Sequence, residues 1–345
     1  MKINELIAFC TIVGILGCPA CKGDPPPAAL ILSTPREGLS DADRSRLESP
    51  PLAELSLVPA SAEALVRVDL LALGAVSPDS AKTLDFLLRA QQPAAWEVMT
   101  AAGLVPGKEL TALYLVVLPG LSGRSGESGF LVGGVGSFDA TRVQGALRRA
   151  GGIPEPAGSG VMFSWRGELA PGASSHAGPE IGETRVGVAS GVVVFGSPHH
   201  VRHALEAHAR RVKDVRASPL TREILLIDQK AVAWGVARGG RDDSDSAAPR
   251  YLENLVPGLK WARFLARPPA TSQGGPLGSV ELTVEFNDFA KAQGFREKLL
   301  SLLAEASNMA AGMPVGTALA RVRDRAKVSV EKVKSGHVLT VASPL

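Results

Sequence analysis

The stretch "GFLVGGVGSFDATRVQGALRRAGG" at residues 129–152 places a strand, a helix cap and a helix in direct succession. Its first eight residues are apolar or glycine, which is typical of a buried strand. Asp139 is a favoured residue for a helix N-cap, and Phe138 and Val143 have the spacing of a hydrophobic staple. The stretch therefore predicts a strand that leads into a helix beginning at Ala140. By the same criterion, Ser40, Asp69 and Ser197 are predicted to cap helices elsewhere in the chain.

The same order recurs in the second half of the chain, where "VELTVEFNDFAKAQGFREKLLSLLAEA" at 280–306 again puts a strand before a helix. From this recurrence we predict an α+β fold of two tandem similar units, each a mainly antiparallel sheet with helices packed on one face. Within 281–286, apolar and polar residues alternate, which favours a sheet with one solvated face. Three further pairs of segments recur in the same order: "ALVRVDL" (64–70) with "AVAWGVARG" (231–239), "LTALYLVVLP" (110–119) with "LKWARFLARP" (259–268), and "RVGVASGVVVFGS" (185–197) with "KVSVEKVKSGHVLTVAS" (327–343).

The N-terminus has the pattern of an export signal. Lys2 precedes an apolar run over 6–16, and the small residue Gly17 and Cys18 follow it. The run is shorter than the roughly 20 residues that a bilayer-spanning helix needs. We therefore expect a cleaved signal peptide over 1–17.

The segment "ILGC", which ends at Cys18, resembles the lipobox of bacterial lipoproteins. The resemblance implies that Cys18 is acylated and becomes the mature N-terminus, and Pro19 after it implies sorting to the outer membrane, in a cell that has one. Leu16 departs from the smaller residue that the family prefers, so simple secretion is the alternative. A Pro- and Ser-rich segment follows, and we predict a flexible tether over 18–57, with folded units over 58–228 and 229–345.

The three cysteines, Cys10, Cys18 and Cys21, all lie in this N-terminal segment. Cys18 and Cys21 have the C-x-x-C spacing, but a redox motif of that kind needs a folded junction between a strand and a helix. The folded units therefore contain no disulfide, no thiol nucleophile and no cysteine-ligated metal.

The rhythm of "VPASAEALVRVDL", "FLVGGVGSFDATRVQGALRRAGG", "VVVFGSPHHVRHALEA" and "AVAWGVAR" resembles uncharacterised bacterial envelope proteins, including lipoproteins of unknown function. The resemblance covers residues 58 to about 240. Its motifs are structural, so it implies a location in the cell envelope and brings no catalytic residues.

The densest group of chemically active side chains is "SPHHVRHALEAH", which starts at Ser197. His199 and His203 are four positions apart, so on a helix they would share one side and could supply two imidazoles to a metal. No glutamate completes a zinc motif, and neighbouring arginines such as Arg202 would repel a cation. We expect a solvated basic helix face, with a metal site as the alternative.

Other motifs of catalysis or cofactor binding are incomplete. No G-x-S-x-G sequence occurs, and "GGVGSFD" at 133–139 has an aspartate where a phosphate loop needs its third glycine. Ser329 and Lys332 have S-x-x-K spacing, but in a strand they point to opposite faces. A formal charge of +3 is too small for a dedicated nucleic-acid binder.

The sequence thus predicts no catalytic residues, no cofactor and no nucleic-acid partner. We expect a non-catalytic protein attached to the membrane by an N-terminal lipid, facing the periplasm and contacting another envelope protein. A periplasmic protein that binds a small ligand or a metal is the alternative.

Overall fold

The computed structural model describes the following residues: 40–48, 52–76, 99–100, 102–118, 129–164, 185–228, 230–239, 256–268, 279–309, 324–325, 327–333 and 336–344. They form a mixed structure of helices and strands. The predicted signal peptide over 1–17, Cys18 and the first part of the predicted tether lie outside this set.

The secondary-structure elements follow one another with these bounds. The helices are α1 (Asp41–Glu48), α2 (Leu70–Val76), α3 (Ala140–Arg149), α4 (Pro198–His208), α5 (Thr221–Leu225) and α6 (Phe289–Met309), with the 3₁₀ helices η1 (Leu52–Leu57) and η2 (Val215–Ala217). The strands are β1 (Ala64–Asp69), β2 (Leu110–Leu118), β3 (Gly129–Gly136), β4 (Ile153–Ala157), β5 (Gly160–Ser164), β6 (Arg185–Ala189), β7 (Val192–Gly196), β8 (Ala233–Arg238), β9 (Leu259–Arg267), β10 (Ser279–Phe286), β11 (Lys327–Val333) and β12 (Gly336–Pro344).

These strands form one 12-stranded sheet in the order β11-β12-β10-β9-β8-β1-β2-β3-β7-β6-β5-β4. Each neighbouring pair is antiparallel, which confirms the prediction of a mainly antiparallel α+β fold. The expectation of a separate sheet for each half differs from the structure. β1 pairs with β8, from Ala64↔Ala237 to Val68↔Ala233, so the two halves share one sheet. This pairing satisfies backbone groups that would otherwise form two open edges.

The strand order is the same in both halves when each is followed outward from the β1–β8 pair. The first half runs β1-β2-β3-β7-β6 and the second runs β8-β9-β10-β12-β11. In each half a helix, α3 or α6, follows the third strand, and a hairpin then returns to lie beside that strand.

Helices cover both faces of the sheet, in contrast to the prediction of helices on one face. Face A is the side on which α2, α3 and α6 pack, and its buried residues include Val66, Val143 and Leu299. Face B is the opposite side, where η1, α4 and α5 pack on residues such as Leu65. The strands of the first half are apolar on both sides, so each side needs a cover to exclude water.

Face B is polar in the second half of the sheet, where Glu281, Thr283 and Glu285 alternate with apolar residues of face A. This alternation agrees with the sequence pattern. The side chains are not solvated, however, because Thr283 is 8% exposed and Glu285 is 4% exposed. The expected wet face is therefore a buried polar surface at these residues.

The end of the predicted tether is folded. Ser40 caps α1 as expected, since its Oγ accepts a hydrogen bond from the Asp43 backbone N–H at 3.1 Å. Leu52, Leu55 and Leu57 of η1 are buried in the core of face B. The spacing of the leucines in this Pro- and Ser-rich stretch carries the signal for a packed segment, and the fold therefore begins before Val58.

Candidate functional site

The predicted metal-binding pair lies on α4, and the helix brings the two rings together. The ring centroids of His199 and His203 are 6.0 Å apart, with their planes tilted by 60°. His199 is exposed and His203 is half-buried. Burial lowers the pKa of His203 below its usual range, and the neighbouring His199 lowers that pKa further.

The other two histidines of α4 have partners within the protein. The buried His200 shares a hydrogen bond of 2.8 Å with Ser197 Oγ through its Nδ1. Ser197 therefore makes no side-chain cap on α4, although the sequence predicted one. His208 Nδ1 lies 3.1 Å from Ser56 Oγ, which joins α4 to η1. These contacts assign His200 and His208 to the packing of α4.

His199 and His203 could provide two ligands, and the described residues around them add no third. Within the described part of the chain, no group of three or more His, Cys, Asp or Glu side chains is arranged to hold a metal ion. Arg202, between the two, forms an ion pair of 2.5 Å with Glu155. A tight zinc site needs three or four protein ligands, so the pair alone suits only weak binding.

A buried polar network lies at the centre of face B and was not found from the sequence. Tyr114 Oη donates a hydrogen bond of 2.7 Å to Glu54, and Arg67 Nε donates one of 3.1 Å to Tyr114 Oη. Arg67 also pairs with Glu54 at 3.5 Å and with Asp69 at 3.4 Å. Arg67 is 4% exposed and Tyr114 is 1% exposed. The network thus joins η1 to β1 and β2 through a buried arginine and a buried tyrosine, while the carboxylates of Glu54 and Asp69 are partly exposed.

The electrostatics of this network keep the Tyr114 phenol neutral and the Arg67 guanidinium charged. Burial raises the pKa of Tyr114 well above its usual range, so the phenol stays protonated and can donate to Glu54. Burial lowers the pKa of Arg67, but Tyr114, Glu54 and Asp69 together raise it above the usual value. A cation balanced by two carboxylates, with a neutral phenol between them, is suited to holding elements together.

A second polar cluster lies on face B of the second half, on β9 and β10. Trp261 Nε1 donates a hydrogen bond of 2.6 Å to Glu285, and Lys260 Nζ lies 3.4 Å from the same carboxylate. The Arg263 guanidinium lies over the Trp261 ring, 5.7 Å from its centroid. Burial raises the pKa of Glu223 on α5, while the nearby Arg263 and Arg222 oppose that shift. The cluster combines both signs of charge with an aromatic ring, and its central carboxylate, Glu285, is buried.

The tryptophans were expected to pack in the core or on the sheet. Of the two that lie within the described residues, one packs in the core and the other on the sheet. Trp234 on β8 is fully buried in the core of face B, whereas Trp261 is half-buried beside Arg263.

None of the helices in the described ranges has both the length and the apolar content to cross a bilayer.

Comparisons with known proteins identify no family for this chain. No protein-family model matches the chain, and no curated protein matches it. Among solved structures, the chain is similar to crystal form I of TP0453, with a TM-score of 0.42 and 12% sequence identity. That match covers 84% of this chain and 91% of the other. A likeness at this level carries no argument about function.

Proposed function

We propose that the chain is a membrane-tethered, non-catalytic lipoprotein of the cell envelope that presents its surfaces to another envelope protein. Cys18 carries the lipid, and the protein faces the periplasm from the outer membrane in a cell that has one. The support is the short apolar run over 6–16 that ends at "ILGC", with a Pro-rich segment directly after it. Simple secretion after cleavage of the signal is the alternative.

The main support for the proposal is the path of the chain after the Pro-rich segment. The chain passes through α1 and η1, and Glu54 of η1 bonds to Tyr114 at 2.7 Å in the middle of the sheet. Leu55 and Leu57 are fully buried beside it. An N-terminal attachment would therefore hold the whole sheet through its centre, which is the geometry needed to position a surface.

We also infer that the chain consists of two similar α+β units, over 58–228 and 229–345. The matching strand orders, β1-β2-β3-β7-β6 and β8-β9-β10-β12-β11, support this inference. The helix after the third strand occupies the same place in both. The pair β4 and β5 then counts as an addition to the first unit at one end of the sheet.

Mass spectrometry of the N-terminal peptide tests the membrane attachment. We expect the mature chain to begin at an acylated Cys18, and Cys18→Ala to remove the protein from the membrane fraction. Cys21→Ala is the matched control and should leave the protein in the membrane. An unmodified Cys18, or cleavage at another residue, would contradict the proposal.

Crosslinking in the native envelope tests the partner. We expect crosslinkers placed at the cluster around Trp261 to capture one defined protein. A crosslinker at the control position Lys108, in the first half of the chain, should capture less of that protein. A hydrolase activity that is lost on a single substitution in the folded units, without any captured partner, would show that the non-catalytic assignment is wrong.

The second candidate, a metal-binding protein, is favoured by one observation, the 6.0 Å separation of the His199 and His203 rings. Isothermal titration with Zn²⁺ decides between the two. Because two imidazoles beside Arg202 lack further ligands, we expect only weak binding in the micromolar range or above. A tight one-to-one site that disappears in the His199→Ala, His203→Ala double variant would favour the metal-binding function instead.

A further inference from the structure

The two edges of the sheet differ in what they offer to another strand. β4 forms one edge and contains Pro154 and Pro156. Proline has no N–H, and in an edge strand its nitrogen lies on the outer side. Because alternate residues of a strand face the same side, these prolines remove the outer row of donors from β4. This is a common way to protect a sheet edge from pairing.

β11 forms the opposite edge and has no proline to remove its donors. Within the described sheet it bonds to β12 alone, and its sequence "KVSVEKV" contains neither proline nor glycine. Lys327, Ser329 and Glu331 are exposed on one side of the strand. Val328 and Val330 point the other way and lie against the core of face A. The edge therefore offers N–H and C=O groups, a charged row and an apolar row.

We infer that β11 pairs with β11 of a second copy of this chain, antiparallel and about a two-fold axis through Ser329. In this register Lys327 lies opposite Glu331 of the partner copy, and the reverse pair forms at the other end. Val328 lies opposite the partner copy's Val330, again twice, and Ser329 faces its own counterpart. Opposite-charge and apolar pairs directly across two strands stabilise a sheet.

The sequence of β11 selects this register over its neighbours. A shift by one residue would place the apolar row of one copy on the charged face of the other, which a half-buried sheet excludes. A shift by two, centred on Val330, puts Ser329 opposite Glu331 and leaves Lys327 opposite Val333. The pairing centred on Ser329 alone matches both charges and both valines.

The paired copies would form an isologous dimer, in which the same surface is used by both partners. The sheet would continue across the axis, and the Val328 and Val330 side chains of both copies would extend the apolar core of face A. This assembly goes beyond the proposed envelope function and does not depend on lipid attachment at Cys18.

Sedimentation velocity of the full chain in detergent tests the inference, with variants in which the charges of Lys327 and Glu331 are reversed. We expect a dimer for the unmodified protein. Lys327→Glu places two glutamates opposite each other, and Glu331→Lys does the same with two lysines, so each single change should raise the dissociation constant by about tenfold or more. The double variant restores opposite charges and should recover the dimer.

Lys332→Glu is the matched control, since it makes the same change in charge as Lys327→Glu at an exposed position that faces no charged residue in this register. It should leave the dimer intact. All three positions are exposed and the partly buried Val328 and Val330 are unchanged, and circular dichroism checks that each variant is folded. A monomer at all concentrations for the unmodified chain, or a dimer that survives both single changes, would overturn the inference. A strand supplied by a different protein would overturn it as well.

Discussion

Arg67 is a charged residue in β1 with apolar residues on both sides of it, from Ala64 to Val66 and at Val68. It is 4% exposed, and a buried charge without partners is costly by several kcal/mol. Glu54, Asp69 and Tyr114 surround its guanidinium and satisfy it. Since Glu54 belongs to η1, the charge on β1 also determines where the N-terminal segment must lie.

Tyr114→Phe should destabilise the protein by about 1–3 kcal/mol, because the change removes the buried hydroxyl that bonds to both Arg67 and Glu54. Denaturant unfolding followed by circular dichroism measures the change. Thr111→Val is a control from the same strand, since it removes one neutral hydrogen bond, from Thr111 Oγ1 to the Val135 carbonyl at 3.1 Å. Its cost should be smaller, about 1 kcal/mol or less.

A double-mutant cycle of Tyr114→Phe with Glu54→Gln separates a direct contact from a general loss of packing. The two residues touch, so their effects should be non-additive by about 0.5 kcal/mol or more. Strictly additive effects would mean that the Tyr114–Glu54 hydrogen bond contributes nothing to stability.

His208 should make the folded state less stable as the pH falls below about 6.5, because burial lowers its pKa below the ordinary histidine value of 6.5. Above that pH the imidazole is neutral in both states, so the stability is fully present. Below it the unfolded chain takes up a proton that the folded chain does not, and stability is lost at no more than about 1.4 kcal/mol per pH unit.

The measurement is the free energy of unfolding between pH 7.5 and 5 for the unmodified chain and for His208→Gln. We expect a shallower decline in the variant. Ser56→Ala removes the hydrogen-bond partner of His208 but leaves it buried, so this control should retain the steep decline. The same slope in His208→Gln and in the unmodified chain would contradict the prediction.

At the residue scale, the sequence predicted hydrogen bonds between residues close together in the chain, but not those between residues far apart in the chain. The caps at Ser40, Asp69 and Asp139 were predicted, because a capping side chain bonds to a backbone N–H two or three residues away. The bond between Glu54 and Tyr114 joins residues 60 positions apart. An arginine and a tyrosine in apolar strands do signal buried polar partners, but they do not identify them.

At the scale of elements, the position of α4 depends on Gly187 in β6. A Cβ at Gly187 would lie 2.8 Å from Val201 Cγ1 and 3.0 Å from Leu205 Cδ1, both on α4. It would also lie 2.8 Å from Cγ2 of Val194, its register partner on β7. The glycine therefore allows the helix to pack closely on the sheet.

Gly187→Ala should destabilise the protein by about 1–3 kcal/mol, the usual cost of overpacking. Gly294→Ala in α6 is the matched control, because a Cβ there has nothing within 4 Å, and helix propensity favours alanine by about 0.5–1 kcal/mol. Thermal unfolding should lower the midpoint for the first variant and raise it for the second. Equal midpoints for both would show that α4 does not need the close approach.

Most strands were predictable as elements, because apolar runs and alternation mark them. β2 lies within the predicted run at 109–119, and the hairpins β6–β7 and β11–β12 lie where expected. β4 was not predicted, since its sequence "IPEPA" carries two prolines that argue against a strand. Only its place at the edge of the sheet, which the chain topology decides, makes the prolines acceptable.

At the scale of the whole molecule, the two halves should unfold together. They share the β1–β8 ladder, and the core of face A includes residues of both, such as Val66 and Leu282. We expect one transition in denaturant, with circular dichroism and tryptophan fluorescence coinciding. Two separated transitions would contradict a single cooperative unit.

Amide hydrogen exchange adds a sharper test of this cooperativity. Gly187→Ala, in the first half, should speed the slowest exchange in β10 (Ser279–Phe286) as much as in β6, because both report global unfolding. Gly294→Ala should slow both. An effect confined to the first half would show that the halves are thermodynamically independent.

The continuous sheet was beyond the sequence analysis for a physical reason. Internal recurrence indicates that two segments form similar elements, but it does not say whether their first strands pair with each other. That choice depends on the edges of β1 and β8, which become neighbours only after each half has formed. The elements that pack on face B could not be predicted for a similar reason. The apolar residues on both sides of β1 indicated that each side is buried, but they did not identify the elements that bury it.

The central place of β1 has a mechanical consequence. A pull on the N-terminus reaches the sheet through η1 and then acts along β1, which is joined by six register pairs to β2 and five to β8. Backbone hydrogen bonds lie perpendicular to antiparallel strands, so such a force loads both ladders in shear and must rupture them together, whereas an edge strand can be peeled away one bond at a time. If the proposed membrane attachment holds the protein at this end, tension therefore acts on a central strand rather than on an edge strand.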